Sequence, residues 1–91
     1  MNKVHLLDTM NDSNGTRYML FEISKESAYT EYRNATAEPF IDGGKQGYHY
    51  TVTDIRGFIE FQSSDFEKVD NYLRKEIELS FKPSKNYKSN K

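Results

Sequence analysis

The sequence predicts a small α+β domain, an antiparallel sheet of two hairpins with one main C-terminal helix and a short second helix. Three observations predict it. Two short apolar runs flank Asn14-Gly15, a pair that supplies the positive φ of a hairpin turn. Tyr48–Thr53 and Phe58–Phe61 flank a second turn sequence, Asp54-Ile55-Arg56-Gly57. Ser64-Asp65-Phe66-Glu67 reads as a capping box ahead of a helical apolar stripe.

The first hairpin pairs Val4–Thr9 with Thr16–Ser24. In the second run Met19, Phe21 and Ile23 share one face, and Tyr18, Leu20 and Glu22 the other. Ser24 is a reasonable N-cap, and Ala28/Tyr32 and Tyr29/Arg33 stand four apart, so a short helix is expected from Ser24 to Ala35. Glu38-Pro39 ends it, because the residue before proline is pushed out of the α region. Phe40–Gly47, with Gly43, Gly44 and Gly47, reads as a flexible loop. The second hairpin alternates Tyr48, Tyr50 and Val52 against His49, Thr51 and Thr53. Phe66, Val69, Leu73 and Ile77 then form the helical stripe, with Tyr72 at its margin and Asp70–Arg74 as an (i, i+4) pair. The helix is expected to reach about Lys75. The period-two pattern of residues 76–81 then allows a last strand, the alternative being a helix that continues to about Ser80. Without the N-terminal run the order is β-α-β-β-α-β, the split βαβ, ferredoxin-like pattern.

Leu, Ile, Val and Phe make up only 19 of the 91 residues, whereas Tyr and Phe together number 13. A thin core filled with aromatic rings is expected, and a domain of this size is marginal. The absence of cysteine excludes disulfides and Cys-based zinc sites. No apolar run reaches the 18 residues of a membrane span, and Met1–Asp8 is too weakly apolar for a signal peptide, so a cytoplasmic protein is expected.

The net charge of −1 conceals an asymmetry. Lys82, Lys85, Lys88 and Lys91 stand in the last ten residues, which hold no acid. The first 81 residues hold nine basic and fourteen acidic side chains. The division is therefore a single domain over 1–81 and a basic flexible tail over 82–91.

No catalytic pattern stands out. Gly43-Gly44-Lys45-Gln46-Gly47 lacks the spacing of a phosphate-binding loop, and neither a G-x-S-x-G nor an H-E-x-x-H is present. His5 and His49 could each sit beside an acid, Asp8 or Asp54, which would make a small enzyme centred on His49 the third reading. No catalytic residue, metal ligand or cofactor is assigned.

The constellation that stands out is aromatic. Tyr29, Tyr32, Tyr48, Tyr50 and Phe58 are the candidate partner-binding residues, because tyrosine offers a large area with a polar tip and is enriched at binding hot spots. The expected function is a non-enzymatic protein-binding module, a regulator or inhibitor acting through an acidic, Tyr-rich surface. The partner is another protein, one that binds nucleic acid among the options, or a second copy in a homodimer. The Lys-, Asn- and Tyr-rich usage resembles that of AT-rich bacteria and their phages, so a phage-type inhibitor of a host or defence factor, acting in the host cytoplasm, fits the composition. The alternative is a single-stranded RNA- or DNA-binding domain using Tyr48, Tyr50, Arg56 and Phe58 with Lys82, Lys85 and Lys88. Arg56-Gly57-Phe58 resembles the opening of the RNP1 consensus of RNA-recognition domains, although the sequence departs from it at Ile59 and Glu60.

Overall fold

The computed structural model describes residues 2–25 and 29–76. Five antiparallel strands follow one another across a single sheet in chain order: β1 (Lys3–Asn11), β2 (Arg17–Lys25), β3 (Tyr29–Asp42), β4 (Lys45–Thr53) and β5 (Ile59–Ser63). Helix α1 (Phe66–Asn71) comes next and runs on through a π-helical turn, Tyr72–Glu76.

This architecture corrects the expected α+β, ferredoxin-like pattern. Every described strand joins its sequence neighbour, so no crossover exists among the described residues. In place of the expected second helix, Ser24 and Lys25 end β2 and residues 29–35 form the first half of β3. This is the longest described strand, and it pairs with β2 from Arg17↔Ala37 to Lys25↔Tyr29 and with β4 from Asn34↔Thr53 to Asp42↔Lys45. The physical reason lies in its two faces. Tyr32, Asn34 and Thr36 point one way, while Glu31, Arg33, Ala35 and Ala37 point towards the helix. Tyr and Thr favour strands, and the small Ala35 stands where the helix approaches the sheet closely. The expected loop over Phe40–Gly47 is likewise the paired end of a hairpin. Only Gly43 and Gly44 form the turn, with φ of 58° and 84°, the two successive positive values that a tight hairpin requires.

The two other turns fall where the sequence places them. Gly15 and Gly57 adopt φ of 87° and 97° after Asp12 and Asp54, respectively. The helix starts one residue later than the capping-box reading. Asp65 is the N-cap and accepts the Glu67 N–H at 3.0 Å, while the Asp65 N–H is taken by the Ser63 hydroxyl. The helix is helical to Glu76; the extended stretch expected beyond it, and the basic tail, lie outside the described residues.

The core sits between the helix and one face of the sheet. Met19, Phe21 and Ile23 of β2, Ala35 and Ala37 of β3 and Val52 of β4 meet Val69, Tyr72 and Leu73. Val4, Tyr50 and Phe61 pack at its margin. Tyr72, read from the sequence as marginal, is core: its ring stacks on Phe61 at 4.7 Å and its hydroxyl donates to Glu60 at 2.9 Å. Asn2 ties the helix end to the start of β1, its backbone N–H and side-chain amide donating to the Arg74 and Leu73 carbonyls. No helix among the described residues is long and apolar enough to cross a membrane.

Candidate functional site: a half-covered groove

The helix begins beside Tyr50, at the β4–β5 end, and finishes beside Asn2. It therefore crosses the sheet obliquely and divides the face beneath it. On one side the space is closed by a network of charges. Arg33 donates to Glu60 at 2.8 Å and pairs with Glu31 at 3.0 Å, and Lys25 lies 3.9 Å from Glu31. Desolvation works against the Arg33 charge, but hydrogen bonding to Glu60 and the fields of Glu60 and Glu31 outweigh it, so its pKa is raised further. The charges balance, and the network reads as packing support for the helix.

On the other side the cover is incomplete. A groove of about 520 Å³ runs between α1 and the β1–β2 hairpin, within the size range of ligand sites. Met19, Phe21 and Ala37 form its floor. Tyr48, Tyr50 and Phe66 form an aromatic wall, with ring centroids 6.1 Å apart for the tyrosines and 5.3 Å for Tyr50 and Phe66. Phe66 and Asp70 on α1 and Arg74 in the π-helical turn stand four apart and line the helical side. Arg17 adds a second guanidinium, its Nε donating to Asn11 Oδ1 at 3.3 Å.

The five candidate partner-binding residues do not form one patch. Tyr48 and Tyr50 share the groove. Tyr32 lies on the opposite, helix-free face with Tyr18, Asn34 and Thr36, and is 41% exposed. Tyr29 opens β3 opposite Lys25. Phe58 lies at the β4–β5 turn, where the Arg56 guanidinium sits 4.9 Å above its ring. The sheet aromatics of the nucleic-acid reading are thus divided between the groove and that turn, and Lys82, Lys85 and Lys88 lie outside the described residues. The exposed Tyr-bearing sheet face also carries Asp8, Glu22 and Glu38, together with the neutral Thr30, Asn34, Thr36, Thr51 and Thr53.

His49, the residue of the enzyme reading, stacks on Phe40 with centroids 4.2 Å apart. Among the described residues no three His, Asp or Glu side chains gather where they could hold a metal ion. The groove residues that the sequence did not single out as a site include Arg17, Met19, Phe21, Ala37, Phe66, Asp70 and Arg74. Phe66, expected on the buried helical stripe, is instead 45% exposed.

No protein-family model, curated protein or solved structure matches this chain.

Proposed function

We propose that the protein is a small, non-enzymatic protein-binding module, a regulator or inhibitor that engages its partner through the groove beside α1. The observation that supports this is the aromatic wall: Tyr48, Tyr50 and Phe66 come from two separate elements and leave a concave apolar space between them. A concave site walled by aromatics is the usual home of a buried anchor residue at a protein interface. This moves the contact surface from a broad acidic, Tyr-rich face to one groove that holds two of its tyrosines.

The test is site-specific photo-cross-linking in the cell that encodes the protein. A benzophenone side chain is placed at Tyr48 or Phe66, and at Thr51 on the opposite face as control. Adducts to the same protein from both groove positions, and none from Thr51, are the expected result. Adducts to nucleic acid would favour the alternative binding class, and equal labelling from all three positions would remove the groove from the account.

A further inference from the structure

We infer that the groove takes an acidic, apolar segment of a partner protein, in which a carboxylate side chain flanks a bulky apolar residue. This rests on the protein-binding reading and specifies its chemistry.

The floor of Met19, Phe21 and Ala37 accepts an apolar side chain, and the rim sets the charge of what accompanies it. Arg17 and Arg74 both line the groove, against a single carboxylate, Asp70. Asp70 is already engaged, both of its oxygens accepting from Arg74 Nε at 3.0 Å. A guanidinium has five N–H donors, and among the described residues the terminal nitrogens of Arg74 make no hydrogen bond. Among the described residues the Arg17 side chain makes only the contact with the neutral Asn11 and no ion pair. The described groove lining thus carries one net positive charge, that of Arg17, in a domain whose first 81 residues carry fourteen acids against nine bases. An incoming carboxylate meets a planar, two-pronged donor that matches its geometry. A neutral segment would strip water from Arg17 without replacing it, and a basic one would also be repelled. That repulsion argues against the lysine-rich end of this chain as the occupant.

The shape separates a protein segment from a small molecule. Small-molecule sites typically enclose most of their ligand. Here the groove is only half enclosed, which suits a single anchor side chain whose parent chain lies over the rim.

The experiment uses the full chain, isotope-labelled, titrated with three blocked hexapeptides. These are Gly-Asp-Phe-Asp-Leu-Gly and its counterparts with Asn or Lys in place of Asp. The acidic peptide is expected to shift the Met19 methyl, the Ala37 amide and the Arg17 Nε–H signals. Its affinity should fall about tenfold on replacing Asp by Asn, and by a similar factor in Arg17→Gln, the scale of one charge-assisted hydrogen bond. Arg17 is exposed, and an unchanged amide spectrum away from the groove checks that the variant is folded. Equal affinity for the Asp and Asn peptides overturns the inference, as does binding that maps to Tyr32 and Thr51. Binding that appears only after removal of residues 82–91 also overturns it, because the chain's own end would then be the occupant. If Tyr48 cross-links to a protein while the peptides are not distinguished, the acidic-segment inference falls and the protein-binding reading stands. If neither experiment succeeds, both fall.

Discussion

Asp12 and Asp54 close their hairpins with the same set of hydrogen bonds. One side-chain oxygen of Asp12 accepts the Asn14 and Thr16 N–H groups at 2.9 and 3.0 Å; that of Asp54 accepts the Arg56 and Phe58 N–H groups at 2.9 and 3.0 Å. Each carbonyl accepts from the glycine three residues on, and each N–H donates to the carbonyl four residues on. The chain therefore uses one turn device twice, Asp-x-x-Gly, with the carboxylate standing in for missing backbone partners.

Acid should loosen both turns. At Asp12 desolvation pushes the carboxyl upward, but the amides of Thr16 and Asn14, the Tyr18 hydroxyl and Gly15 outweigh it. At Asp54 the Phe58 amide leads, with Arg56 adding to it against desolvation. Both pKa values are lowered from 3.8. A carboxyl lowered by folding contributes stability that is fully present above its unfolded value and is lost as pH falls through its folded value. Urea midpoints should therefore drop as the pH is taken below 3.8. The Asp12→Asn/Asp54→Asn double variant should drop less over the same window. An identical slope in both proteins would show that these carboxylates are not coupled to folding.

Leu73 is 1% exposed and lies against the sheet with Val69 and Tyr72. Leu73→Ala should cost about 2–5 kcal/mol in denaturant unfolding, the range for a large-to-small change in a core. A loss under about 0.5 kcal/mol, as at an ordinary surface site, would mean that the helix is turned differently.

Gly47 gives way to an aromatic ring. It pairs with Phe40, and a Cβ there would meet Phe40 Cζ at 2.8 Å, while the same ring stacks on His49. Gly47→Ala should cost about 1 kcal/mol, at the low end for overpacking because the ring can shift. It should also displace the His49 ring protons in the NMR spectrum. In a Phe40→Leu background the same change should be close to neutral. A cycle without this coupling would rule out the contact.

The charged flank should depend on Arg33. Arg33→Met leaves Glu31 and Glu60 without their shared cation, so stability should fall in urea unfolding, and fall less in the Arg33→Met/Glu60→Gln double variant. Equal losses in the single and double variants would assign Arg33 a packing role only.

The turns were legible in the sequence because their signals are local. Asn14-Gly15 and Asp54–Gly57 carry the required backbone freedom within four residues. The helix position was legible to within one residue for the same reason, the shift arising because Asp65 and Ser64 are both competent caps. Strand β3 was not. Its inward face holds Glu31 and Arg33, which look solvent-facing until Glu60 and Lys25 are brought alongside, and Ala35 suggests a helix until a helix lies across it. The groove was legible only in Tyr48 and Tyr50. Arg17, Met19, Phe66 and Arg74 meet through sheet pairing and helix crossing, and no spacing along the chain announces either.

The claim on which the functional reading rests is that the helix covers Ala35 and leaves the Ala37 end of the same face open. Both alanines are buried, at 1% and 4% exposure, but only Ala37 lines the groove. The direct measurement is urea unfolding of Ala35→Leu beside Ala37→Leu. Ala35→Leu should lose about 1–3 kcal/mol by forcing the helix off the sheet. Ala37→Leu should stay within about 0.5 kcal/mol of the parent, because its side chain enters space that the fold leaves empty. Equal losses at the two positions would contradict the account, since the groove would then be closed core.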